Sequence, residues 1–117
     1  MTRLILAALL AAPIMACSSA AKPEARMASS EGAIRGAQEA GAQNVPQATL
    51  YLKLAQEERE KGLAMVKDDD NHRASFMLAR SEADAELAVA LARAASAAGE
   101  ATHATEQVND LKEKAAQ

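Results

Sequence analysis

The chain has 117 residues, half of them hydrophobic, with one Tyr, one Phe and no Trp; 31 are alanine. Past Cys17, only 14 of 100 residues are Leu, Ile, Val or Phe. That is too little large apolar surface for a thick core, and too few β-branched and aromatic residues for a sheet. An all-β domain, a dinucleotide-binding α/β domain and any large enzyme are excluded, leaving a thin all-α protein. The formal net charge is −3, and no Lys/Arg cluster is present to release counterions from phosphates. Nucleic acid is therefore not an expected partner.

Residues 1–16 have the build of a signal peptide. Arg3 supplies a positive start, Leu4–Ala12 a short apolar run, and Ile14-Met15-Ala16 leads into Cys17. The run is too short for a mature membrane-spanning helix, which needs about 20 residues. Small or aliphatic residues before a cysteine at this place resemble the bacterial lipobox. That resemblance implies diacylglycerol on the Cys17 sulfur, cleavage before Cys17 and acylation of the new amine. An ordinary secretory signal and an uncleaved anchor are the competing readings. Ser18, where Asp would mark inner-membrane retention, favours the outer membrane, with the inner membrane as the alternative. One acyl chain binds a bilayer marginally, whereas two or three hold stably. Residues 17–30, with Pro23, form the expected lipidated tether, reaching at most about 40 Å.

Residues 31–98 form an expected alanine-rich helical domain, and 99–117 a helical extension with a fraying end. A short first helix is expected over about Ser29–Gly41, folding back on the open end of the hairpin made by the other two helices. Gly41 and Pro46 bracket a break, by the asymmetry that puts Gly past a helix end and Pro at a helix start. The second helix is expected over Pro46–Lys67. Asp68-Asp69-Asp70-Asn71 makes a turn in which Asp70 or Asn71 caps the third helix. That helix is expected to run on through a weak point at Gly99.

The short acidic turn makes the second and third helices an antiparallel hairpin. Pairing outward from Asp69 sets Gly62 opposite Phe76, Ala55 opposite Ala83, and Leu52 opposite Glu86 or Leu87. The sole Phe thereby faces the sole Gly of its partner helix. The apolar stripes are Ala48, Leu52, Ala55, Gly62 and Val66 on one side, and Ala74, Leu78, Ala85, Ala88, Ala92 and Ala95 on the other. Small residues there allow close approach of the axes. The expected architecture is an elongated hairpin with a short preceding helix and tetratricopeptide-like or coiled-coil-like packing. No heptad pattern specifies an oligomer.

The run Glu31–Ala42, followed by Val45-Pro46, Leu50, Leu54-Ala55, Arg73-Ala74 and Arg80–Ala88, resembles the bacterial envelope family called domain of unknown function 4398. The resemblance covers about Ser29–Ala98. It implies a small lipid-anchored helical hairpin in the periplasm, and carries over no catalytic or ligand residues.

Chemistry-bearing clusters are few. His72 beside Asp68–Asp70 offers oxygen and nitrogen donors, but lacks the alternating ligands and Gly of a calcium loop. A solvated turn and helix cap is the competing reading. Glu57, Glu58 and Glu60, with Arg59 and Lys61, form a solvated face with Glu57 and Lys61 at i, i+4. Arg80 and Asp84 are one turn apart and expected to pair, with Asp84 and Glu86 as candidates for partner docking. Tyr51 is expected to pack near Leu87, and His103 to sit in solvent. No nucleophile–base set or phosphate loop is found, so no enzyme activity and no cofactor are expected. The functional expectation is a non-catalytic lipoprotein on the periplasmic side of the envelope. It is attached to the membrane by its lipid and docks a periplasmic protein or self-associates. The alternative is a divalent-cation or small-ligand module built on Asp68–His72.

Overall fold

The computed structural model describes residues 20–117; the leader, Cys17 and the lipidation expected there lie outside the described residues. Three α-helices follow in order: α1 Glu24–Glu39, α2 Pro46–Lys67 and α3 Asn71–Ala115, with a 3₁₀ turn Ala42–Asn44 between α1 and α2. The fold is all-helical and elongated. α2 and α3 form the antiparallel hairpin, and α1 packs against both.

The chain breaks fall where Gly41, Pro46 and the acidic run put them. Gly41 ends α1 in the left-handed region, at φ 79°, and its N–H donates to the Gln38 carbonyl at 3.0 Å. Pro46 is the first residue of α2, where its missing N–H costs nothing. After Lys67, Asp69 takes φ 58°, and the N–H groups of Asp69 and Asp70 return to the carbonyls of Val66 and Met65 at 3.2 and 2.9 Å. This is a Schellman closure with Asp where Gly is usual. The Arg73 N–H then donates to the Asp70 carboxylate at 3.4 Å, capping α3. Helix α3 passes through Gly99 without interruption and runs 45 residues, about 68 Å.

Helix α1 departs from expectation. It begins at Glu24 rather than near Ser29, so residues 24–30 of the expected tether are helix. Its C-terminal part packs on the open end of the hairpin as expected, Ala37 joining Ala48, Leu52, Ala88 and Ala92, and its longer N-terminal part runs back along the hairpin toward the turn. Arg26 and Ser29 both donate to Glu82 on α3, at 2.9 and 3.0 Å, and Arg59 on α2 reaches Glu31 at 2.9 Å. At the turn, the Asn71 side-chain amide donates to the Ala20 carbonyl at 2.8 Å. These contacts run α1 parallel to α3 and antiparallel to α2. The ion pairs among them are open to solvent and add little stability, but together the contacts fix direction and register.

The interior is built mostly of alanine, as the stripes require. Ala48, Leu52, Ala55, Gly62 and Val66 of α2 are buried, as are Ala74, Leu78, Ala85, Ala88 and Ala92 of α3. Ala95 is exposed, because the bundle ends at Ala92. The α3 stripe, completed by buried Ser81, alternates steps of four and three, the spacing of coiled-coil packing.

The facing pairs need correction. Leu78, not Phe76, lies over Gly62: a β-carbon on Gly62 would stand 2.8 Å from Leu78 Cγ. Phe76 is 65% exposed and stacks edge-on against His72, with ring centroids 5.0 Å apart. Ala55 faces Ser81, whose hydroxyl donates to the Ala55 carbonyl at 2.7 Å, while Ala83 is exposed. Leu52 shares its cluster with Ala88, and Leu87 stands half out of the bundle. The axial level inferred from the turn is nearly right. What differs is helix rotation: positions 76 and 83 lie two residues from the buried positions 78 and 85, about 200° around the helix.

Candidate functional site

Three surfaces carry whatever chemistry this body offers: the acidic turn, a polar cluster at mid-bundle, and an apolar groove continuing into the free length of α3.

At the turn, the Asp70 carboxylate is taken up by folding, while those of Asp68 and Asp69 face solvent. The backbone of Asp68–Asp70 closes α2, and the Asp70 carboxylate both caps α3 and pairs with the Arg73 guanidinium at 3.1 Å. His72 points to Phe76. Among the described residues, no three His, Cys, Asp or Glu side chains converge on a point where a cation could sit. The geometry gives the cation-binding alternative no ligand set.

The mid-bundle cluster centres on Glu58, which the sequence placed on a solvated face and which is only 5% exposed. Position 58 continues the α2 stripe between Ala55 and Gly62, so helical phase forces it inward. Arg80 reaches across from α3 to Glu58 Oε1 at 2.6 Å, instead of pairing with Asp84. Glu58 Oε2 is buried without a hydrogen-bond partner. Burial first, then the negative charge of Asp84, push the Glu58 carboxyl above its usual range, against the pull of Arg80 and Lys61. The depression on the α1–α2 side, beside Ile34 and Arg59, encloses only 190 Å³. Organic ligands usually occupy about 300–1,000 Å³ with most of their surface covered. The cluster is a buried carboxylate with its counter-ion, and the neighbouring depression is smaller than a typical organic-ligand site.

The groove lies at the open end of the hairpin. Gln47, Leu50 and Tyr51 of α2 and Leu87 and Leu91 of α3 line a 270 Å³ channel. Tyr51 and Leu87 line it together. Leu50 is 56% exposed and Leu87 39%. Beyond Ala92, α3 leaves the bundle and extends 23 further residues, about 35 Å, all exposed, with Val108 and Leu111 at 49% and 65%. His103 is on this extension, 3.5 Å from Glu106 and open to solvent. No helix among the described residues is long and apolar enough to cross a membrane.

Sequence reasoning missed Glu58, Ser81 and Asn71. The signal for the first two was available: each fills a gap in a stripe otherwise made of small residues. Asn71 gave none, because its partner is the carbonyl of Ala20, 51 positions earlier. Comparison of the chain with protein-family models, with curated proteins and with solved structures finds no match.

Proposed function

We propose that this chain is a non-catalytic, lipid-anchored helical module of the bacterial envelope, of the kind the resemblance to domain of unknown function 4398 implies, presenting a docking surface in the periplasm. The observation that carries the reading is the sequence around Cys17: a positive start, a short apolar run, then Ile14-Met15-Ala16-Cys17. The rest of the body is consistent with a gripping role. Its surface depressions are shallow, and apart from Phe76 near the turn its exposed large apolar residues lie on one groove and one free helix.

The anchor also gives the body an orientation. Ala20, three residues past Cys17, is held against Asn71 at the start of α3. An acylated Cys17 therefore fixes the turn end next to lipid. The C-terminal tip of α3 is then the part that can stand farthest away, up to about 68 Å. With Ala20 held at the turn end, three residues separate it from Cys17, roughly 10 Å when extended.

Two measurements test the reading together. Mass spectrometry of the mature protein from bacterial membranes should find a chain beginning at Cys17 and carrying acyl groups, and Cys17→Ser should move the protein out of the membrane fraction. An unmodified Cys17, or a Cys17→Ser chain that still sediments with membranes, overturns it.

A further inference from the structure

The exposed apolar residues of α3 follow one line. From Ala83 through Leu87 and Ala94 to Val108, Leu111 and Ala115, apolar residues recur at alternating steps of three and four on the outer face. This is a second seven-residue repeat, out of phase with the one buried in the bundle, and unpartnered over its whole length. A helix carrying such a repeat packs against another helix in left-handed fashion.

Charge selects the occupant. Beside the stripe, the body end of α3 carries Asp84 and Glu86, and the tip carries Lys112 and Lys114. A parallel pair of copies sets acid near acid and base near base. An antiparallel pair sets them opposite. Aligning the stripes antiparallel about Gly99 places the partner's Leu111 on Leu87 and the partner's Val108 on Ala90, with Glu86 facing the partner's Lys114 and Asp84 facing the partner's Lys112. Each tip then lies along the groove of Leu50, Tyr51 and Leu91, filling the 270 Å³ channel at both ends of the dimer. A shorter overlap, with the partner's Leu111 against Ala101, leaves that channel and Leu87 in water. The like-charge meeting of Glu100 with its own copy falls on the solvent flank, where salt screens it.

We propose that two copies of this chain associate antiparallel through the outer face of α3, each tip seated in the other's Leu50–Leu87–Leu91 groove. The overlap spans residues 83–115 of both helices, about 50 Å. Most layers are alanine, so the buried area is small for its length. The two turn ends then stand roughly 80 Å apart. If both carry lipid, the rod lies along the membrane surface. The pairing itself does not require that Cys17 be acylated, so the two readings fail separately.

Disulfide trapping decides it. In the full chain carrying Cys17→Ser, purified in mild detergent, Leu87→Cys and Leu111→Cys are introduced singly and together and then oxidised. Facing core positions of paired helices lie close enough for a disulfide. Covalent dimer should form from the double variant and from the mixture of the two single variants, and from neither single variant alone. Dimer from Leu87→Cys alone overturns the antiparallel arrangement, and absence of trapping in the mixture overturns the interface. Analytical ultracentrifugation supplies the second readout. Leu111→Glu should raise the dissociation constant at least tenfold with helicity unchanged, since Leu111 touches nothing in the monomer core. Lys114→Glu should weaken the dimer and Glu86→Lys in the same chain restore it; a charge reversal without rescue overturns the register.

Discussion

Gly62→Ala tests how the hairpin is held at its closest point. In an exposed helix interior, Gly→Ala gains about 1 kcal/mol from helix propensity. At Gly62 the added β-carbon meets Leu78 Cγ at 2.8 Å and Cδ2 at 2.9 Å, against an ordinary contact of 3.4–4 Å. Leu78 is fully buried, and Cγ is near the root of its side chain, so relief requires the helices to separate or Leu78 to leave its rotamer. Overpacking of this kind costs about 1–3 kcal/mol. The clash outweighs the propensity gain, and a net loss of about 1 kcal/mol is expected. A β-carbon added at Gly32 or Gly36 of α1 meets nothing within 4 Å, so Gly32→Ala and Gly36→Ala should each stabilise by about 0.5–1 kcal/mol. Urea unfolding followed by far-ultraviolet circular dichroism measures all three. Removing the clash by Leu78→Ala should turn Gly62→Ala from destabilising to stabilising in that background, a coupling of at least about 1 kcal/mol. If Gly62→Ala alone gains as much as Gly32→Ala, the close packing of Leu78 on α2 is wrong.

Asp69→Gly should stabilise by about 1 kcal/mol, because a residue with a β-carbon is held at φ 58°; no gain in the urea midpoint would remove the strain attributed to the Schellman turn. Ser81→Ala should lose about 1 kcal/mol with the 2.7 Å hydrogen bond to Ala55, read in the same unfolding assay, whereas a substitution at exposed Ala83 should be neutral. Glu58 predicts a pH effect. Its folded-state pKa lies above the unfolded value of 4.5, so the folded state binds the proton more tightly, and stability falls as pH rises from about 4.5 through the folded value. Glu58→Gln should abolish that part of the slope and be at least as stable as the parent at neutral pH. Persistence of the full slope in the variant would assign it to other groups.

The sequence by itself determined the fold class and the punctuation. Thirty-one alanines and scarce large apolar residues leave no option but thin helices. Gly41, Pro46 and Asp70 set the chain breaks through backbone conformation, a missing donor and a side-chain cap, all of which act within a few residues. The buried stripes were legible for the same reason, since helical phase is a local property. Tertiary structure decided what depends on how one helix is turned against another. The rotation of α3 about its axis puts Leu78 rather than Phe76 over Gly62 and Ser81 rather than Ala83 on Ala55. The same rotation carries Arg80 to Glu58, and leaves Phe76 and Leu87 facing water. The course of α1 was likewise decided by distant partners, Asn71, Glu82 and Arg59, whose pairing no local pattern encodes. Only with that rotation fixed does the second apolar line on α3 stand apart from the first, because a stripe is free or buried according to which side its neighbours occupy.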